Sequence, residues 1–255
     1  MAKDTILVAD DDRVVVELLS LWLDPHGFTV AGAADGMQVI MAVRRAPPAA
    51  ILLDLMMPGG TGFDVMKRLH SNAAMQRIPV IVMSASVDPE LPHTAREAGA
   101  AAFLSKPLEQ AELVATIRGV LGQQPGRPQE NRWESRASAM SSDVDSRDGT
   151  PPAPSSVARI WAQSHDMIFE RLAAVEKATN ALRRATLTPE VRQKGVLEAH
   201  RLAGSLGMFG LAQGTQVARE IERLLGDQAV LAPETPHRLM ELSAALRKEL
   251  EKGPA

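Results

Sequence analysis

The chain has no cysteine and no tyrosine in 255 residues, and aromatic side chains make up only 3% of it. The missing thiols exclude disulfides, thiolate metal sites and a cysteine nucleophile, and they fit a reducing compartment. No run of about 18 apolar residues occurs, so a membrane-spanning helix is not expected. The N-terminus, Met1-Ala2-Lys3-Asp4, shows no signal-peptide pattern. An excess of one charge is lacking too: 28 Lys and Arg stand against 31 Asp and Glu, for a net charge of -3. That balance, with an isoelectric point near 6.1, offers no nucleic-acid surface. A glycine-rich nucleotide-binding pattern and internal repeats are also missing. The expectation is a cytoplasmic, soluble protein with no nucleic-acid and no membrane partner.

What is present is a strict alternation over the first 122 residues. Apolar runs at 5–9, 28–31, 49–53, 79–83 and 101–104 are each followed by a segment of helical spacing, at 13–23, 35–45, 62–70, 89–98 and 108–121. Short apolar runs bounded by turn residues are strands buried on both faces. Alternating strands and helices predict an α/β fold, a five-stranded doubly wound parallel sheet. Residues 123–156 are rich in Ser, Pro, Arg and Asp, with Trp133, Met140 and Val144 as their large apolar residues. They bury too little to offset ordering and are expected to form a disordered linker. Residues 157–252 carry helical periodicity in four segments and predict a separate all-α four-helix bundle.

Four of the predicted strands end in polar residues. The run Ile51-Leu52-Leu53 leads into Asp54, and Thr5 to Ala9 into Asp10, Asp11 and Asp12. Ser84 follows the fourth strand, and Ser105-Lys106-Pro107 the fifth. Alone, Asp54 is either a turn residue or a site at the carboxyl end of a strand, Asp12 either a helix cap or part of that site, and Ser84 and Lys106 ordinary turn and surface residues. Together they place three carboxylates, a hydroxyl and an ammonium at one sheet edge. Converging carboxylates repel unless a cation joins them, and hard oxygen ligands suit Mg2+. Such a set can hold a phosphoryl group.

These stretches, Ile6-Leu-Val-Ala-Asp10-Asp11, Leu53-Asp54-Leu-Met-Met-Pro58, Met83-Ser84-Ala85 and Phe103-Leu-Ser-Lys106-Pro107, resemble the signature of response-regulator receiver domains over residues 1–122. The resemblance implies a phosphoacceptor at Asp54 and Mg2+ held by Asp10, Asp11, Asp54 and the backbone carbonyl of Met56. It implies phosphoryl contacts from Ser84 and Lys106, and a switch involving Ser84 and Phe103. With no tyrosine in the chain, switching at Phe103 must rest on packing.

Of the six histidines, His26, His70, His93, His165 and His237 fall in loops or on polar helix faces. His200 stands apart. At about 100° per residue, Val191, Leu202, Leu206 and Phe209 form a core stripe opposite it. Beside it lie Gln193, Val196, Leu197, Ala203, Gly204 and Gly207. Glycine costs a helix about 1 kcal/mol relative to alanine, so Gly204 and Gly207 point to close approach by something. Wheel geometry alone leaves a surface histidine on a closely packed helix equally open. The stretch Ala199-His200-Arg201-Leu202-Ala203-Gly204-Ser205-Leu206-Gly207 resembles the motif of histidine-containing phosphotransfer (HPt) domains. That implies phosphorylation of His200 and a docking face of Val196, Leu197, Ala203, Gly204 and Gly207. Ala203 departs from the lysine many members carry there, and Arg201 points about 100° away from His200.

The combined expectation is a two-component phosphorelay protein without a kinase catalytic domain. It would exchange phosphoryl groups with a sensor histidine kinase and with other receiver or HPt proteins, or between its own two halves. The alternative is a phosphorylation-regulated interaction module whose His200 is never phosphorylated.

Overall fold

A computed structural model describes residues 3–57, 60–86, 88–122, 154–226 and 234–254. Strand β1 (Asp4–Ala9), β2 (Phe28–Ala33), β3 (Ala50–Asp54), β6 (Val80–Ser84) and β7 (Ala102–Ser105) form one sheet in the order β2-β1-β3-β6-β7. All of its pairings are parallel. Helices α1 (Arg13–Leu23), α2 (Gly36–Arg45), α3 (Gly62–His70), α4 (Leu91–Glu97) and α5 (Gln110–Leu121) cover it. The doubly wound fold expected from the alternation is the one observed. A feature not foreseen is the two-stranded ribbon of β4 (Met56–Met57) and β5 (Gly60–Thr61), beside the end of β3. The helix expected at 89–98 is shorter, because Pro89 and the turn before Leu91 delay its start.

The central strands β3 and β6 are buried along their whole length. Their side chains divide between two apolar clusters: Leu52, Ile81 and Met83 face α1 and α5, and Ile51, Leu53 and Val82 face α2 and α3. Period-2 alternation of a strand buried on both faces dictates this division. It also brings every polar strand end to the same edge.

The second half is helical: α6 (Pro154–Arg183), α7 (Pro189–Leu206), α8 (Ala212–Gly226) and α9 (Thr235–Lys252). Thr188 caps α7 through its side chain, with Pro189 at the first position. Helix α6 opens at Pro154, so residues 154–156 of the stretch expected to be linker are helical; residues 123–153 lie outside the described residues. Gly195 lets α7 approach α6: a Cβ there would stand 2.5 Å from that of Ala178. Leu202, Leu206 and Phe209 enter the core as expected, whereas Val191 is only half-buried.

The two halves touch. Helix α1 packs on α6 and α7, and one apolar cluster runs from α1 and α5 into the bundle.

Candidate functional site

Register assembles the first half of the site. Asp54 ends β3 opposite Met83 of β6, and Ser84 pairs with Ser105, immediately before Lys106. Asp10 follows β1, its N–H held by the carbonyl of Ala33. Gly62 seats the start of α3 against this edge: a Cβ there would lie 2.7 Å from the Asp54 carbonyl oxygen and 2.9 Å from the Leu55 Cα. Backbone contact that close is open to glycine alone.

Lys106 is the central cation. Its Nζ donates to Asp10 Oδ2 at 2.7 Å and to Asp54 Oδ2 at 2.5 Å, with all three side chains almost fully buried. The other Asp54 oxygen accepts the Met56 N–H, and Asp10 Oδ1 accepts the N–H of Asp12. Burial pushes the Asp10 carboxyl up to about 7, against the pull of Lys106 and with further push from Asp54 and Asp12. Burial works against the charge of Lys106, yet its two carboxylates outweigh that and hold the ammonium above the ordinary lysine range. Ser84 is buried and its Oγ accepts the Ser86 N–H, leaving its own O–H free to donate. Met56 is exposed, and Phe103 is half-buried, packed like Leu91 and Ala98 against the apolar cluster on the α2–α3 side of the sheet.

Asp10, Asp11 and Asp54 each offer a carboxylate oxygen, all within 4.8 Å of one another. The residues fit a hard divalent cation: the donors are oxygen only, and burial leaves the carboxylate of Asp10 short of compensating charge. Asp12 is not part of this set. It caps α1 by accepting the Val14 N–H, and both its oxygens also accept from Arg171 of α6.

The second half lies across the interface. His200 is 8% exposed. Its Nδ1 stands 2.9 Å from Glu222 Oε1; an ionised carboxylate only accepts, so Nδ1 carries a proton and a neutral ring keeps its lone pair on Nε2. That Nε2 is buried with no hydrogen-bond partner. Burial disfavours the imidazolium, but the hydrogen bond and charge of Glu222, helped by Asp54 and opposed by Lys106, set its pKa above the ordinary histidine value. The face around His200 is covered by the first half. A Cβ on Gly204 would stand 3.7 Å from Lys106 Cδ, and one on Gly207 would collide with Pro107 Cβ at 2.1 Å. Arg219 of α8 donates to the Lys106 carbonyl. Ala203 is fully buried, and Val196 and Leu197 are half-buried, Val196 against the bundle core.

Four residues of this arrangement carry no signal in the sequence pattern. Arg171, Glu198, Arg219 and Glu222 sit in periodic helical segments where a charge reads as a solvated face. Arg201, which points away from His200 along the helix, donates from Nε and Nη2 to Asp11 Oδ2 at 3.2 and 2.6 Å.

Comparison with known proteins agrees with this division. Residues 6–118 match the response regulator receiver domain, and residues 160–252 match the Hpt domain. The chain thus carries a receiver domain followed by an Hpt domain, a pairing that supports a place in two-component phosphorelay. Both are signalling modules, distinct from kinase catalytic domains. The DNA-binding response regulator MtrA of Mycolicibacterium paratuberculosis is 36% identical over 128 residues, 50% of this chain and 56% of that protein. The transcriptional regulatory protein CseB of Streptomyces avermitilis is 38% identical over 122 residues, 48% of this chain and 51% of that one. The chain thus spans about half the length of these curated relatives. Among solved structures, chemotaxis response regulator CheY4 of Vibrio cholerae matches 46% of this chain and 98% of its own, at 26% identity and TM-score 0.44. The receiver domain of a sensor histidine kinase from Pseudomonas aeruginosa, solved with magnesium in its active-site cleft, matches 48% and 100% at 26% identity and TM-score 0.45. Among the described residues, no helix is long and apolar enough to cross a membrane.

Proposed function

We propose that Asp54 accepts a phosphoryl group and exchanges it with Nε2 of His200 in the same chain. The observation that carries this reading is the state of that nitrogen: buried and unpartnered, one helical turn from Gly204, where a Cβ would stand 3.7 Å from the side chain of the Lys106 that holds Asp54. In the direction from Asp54 to His200, the Nε2 lone pair attacks phosphorus and the acyl P–O bond breaks, returning its electron pair to the carboxylate. The reverse forms the P–O bond, breaks P–N and leaves a neutral imidazole whose Nδ1 proton stays on the hydrogen bond to Glu222. Phosphoryl transfer of this kind demands positioning and charge neutralisation more than covalent help.

Each neighbouring residue has a part in it. Lys106 pairs with the phosphoryl charge, and the O–H of Ser84 donates to a phosphoryl oxygen. Asp10, Asp11, Asp54 and the Met56 carbonyl would hold Mg2+, whose contribution when bound is to neutralise charge on the transferring oxygens. Ser84 and Phe103 would report the phosphorylated state by repacking. A sensor histidine kinase, or another receiver or HPt protein, would supply or take the group, in the cytoplasm.

The experiment is to charge the full chain with a small phosphodonor and separate acid-stable from acid-labile label. Label on both Asp54 and His200 is expected, with the His200 label lost in Asp54→Ala. Unchanged His200 labelling in that variant contradicts the route. One observation favours a second reading, a regulatory interaction module. Ala203 is fully buried and puts no cation beside His200, where many HPt domains carry lysine. A phosphorylated partner that binds the chain and never labels His200 would establish that reading.

A further inference from the structure

The contact between the halves is built on an unbroken chain of alternating charges. Asp12 accepts both arms of the Arg171 fork at 2.7 and 2.9 Å. Arg171 Nε faces Glu198 Oε2 at 3.8 Å; Glu198 Oε1 accepts from Arg201 at 2.9 Å; and Arg201 ends on Asp11. Arg171 and Asp12 are nearly fully buried, at 7% and 3% side-chain exposure. Two adjacent acids of one domain thus meet two arginines of the other, aligned by a buried glutamate on the helix that carries His200. Buried ion pairs contribute little net stability against apolar packing, yet losing one partner is costly. A planar guanidinium forking a carboxylate also fixes orientation as well as distance. Such a pair selects a partner and a register.

We propose that Arg171 and Arg201, aligned by Glu198, form a docking clasp that commits the acidic loop Asp11-Asp12 to the histidine bundle of its own chain. Arg171 is the specificity-determining arm, because Asp12 lies outside both the phosphoacceptor and the cation ligands. Arg201 is the exchangeable arm, because the Asp11 carboxylate it holds belongs to the set a divalent cation would use. The clasp gives the phosphotransfer reading its cis geometry, but docking is measurable without any phosphoryl group.

The test is a distance measurement on the full chain. With no native cysteine, spin labels can be placed uniquely by Met41→Cys on α2 and His237→Cys on α9, both strongly exposed. The parent should give one narrow distance distribution. Arg171→Glu, which sets a carboxylate against Asp12, should broaden it, with the docking equilibrium falling at least about a hundredfold, the lower end of what breaking a buried pair costs. Asp12→Asn keeps a good helix cap while removing the charge, and should broaden it too, to a smaller degree. It answers the question even if Arg171→Glu disturbs the bundle. Narrow, unchanged distributions in Asp12→Asn and in a folded Arg171→Glu overturn the clasp. Docking that is intact in a parent whose His200 takes no label would instead count against the relay and leave the clasp standing.

Discussion

Glu222 Oε1 lies 2.9 Å from His200 Nδ1, a contact that fixes the tautomer of the neutral ring and favours its protonated form. With the Nδ1 proton held, Nε2 is the nitrogen left to accept a phosphoryl group. The same contact makes His200 easier to protonate than an ordinary histidine despite its burial. A group whose pKa is raised by folding adds stability that is fully present below its unfolded value and lost as pH rises through the folded one. Glu222→Gln should therefore lower the His200 pKa, read by NMR titration of its ring protons. The variant should also lose more thermal stability at pH 6 than at pH 9. Acceptance by Nε2 requires the neutral ring, so the pH profile of His200 labelling should shift to lower pH in the variant. Its rate at alkaline pH should drop roughly 10-fold through lost orientation.

Gly204 and Gly207 should separate in their behaviour. A methyl group on Gly204 meets Lys106 at ordinary van der Waals distance, whereas one on Gly207 meets the rigid Pro107 ring at 2.1 Å. Gly207→Ala should undock the two domains, and Gly204→Ala should leave them docked. The radius of gyration from small-angle scattering checks both, an increase being expected for Gly207→Ala alone.

These glycines also show how far the sequence could be read. Two glycines on the face of a histidine, Gly204 within α7 and Gly207 just past its end, announced close approach; the approaching group proved to be the Lys106-Pro107 loop. Asp10, Asp54, Ser84 and Lys106 were legible because parallel register carries every strand end to one edge. Asp12 was half legible: its capping role follows from local rules, while its pairing with Arg171 depends on a helix 159 residues away in sequence. Glu198, Arg219 and Glu222 were not legible at all, since a charge on an amphipathic helix reads as solvated until a second domain covers it.

The charge balance of the acid cluster predicts a pH-dependent response to cations. Burial pushes the Asp10 carboxyl up to about 7 in the fold, from 3.8 in an open chain. Between those values the folded state binds the extra proton, so this group makes stability fall as pH rises. A divalent cation needs the carboxylate and competes with that proton. Added Mg2+ should thus raise the thermal midpoint more at pH 8 than at pH 6. Equal shifts at the two pH values would contradict the assignment of Asp10 as a ligand.

Gly62→Ala should damage the receiver half specifically. Its methyl group would press on the Asp54 carbonyl and the Leu55 Cα, both backbone atoms that cannot swing aside. Labelling of Asp54 by a small phosphodonor should fall at least roughly 10-fold, since misplacement of a reacting group by about 1 Å costs more than that. Thermal unfolding of the bundle should stay where it is.

The central claim is that Asp54 and His200 exchange a phosphoryl group within one chain. The direct measurement is the rate at which label passes between them in this 255-residue chain across a hundredfold dilution. A first-order rate constant independent of protein concentration is the predicted result. A rate that falls in proportion to concentration, or label that never reaches His200, would contradict it.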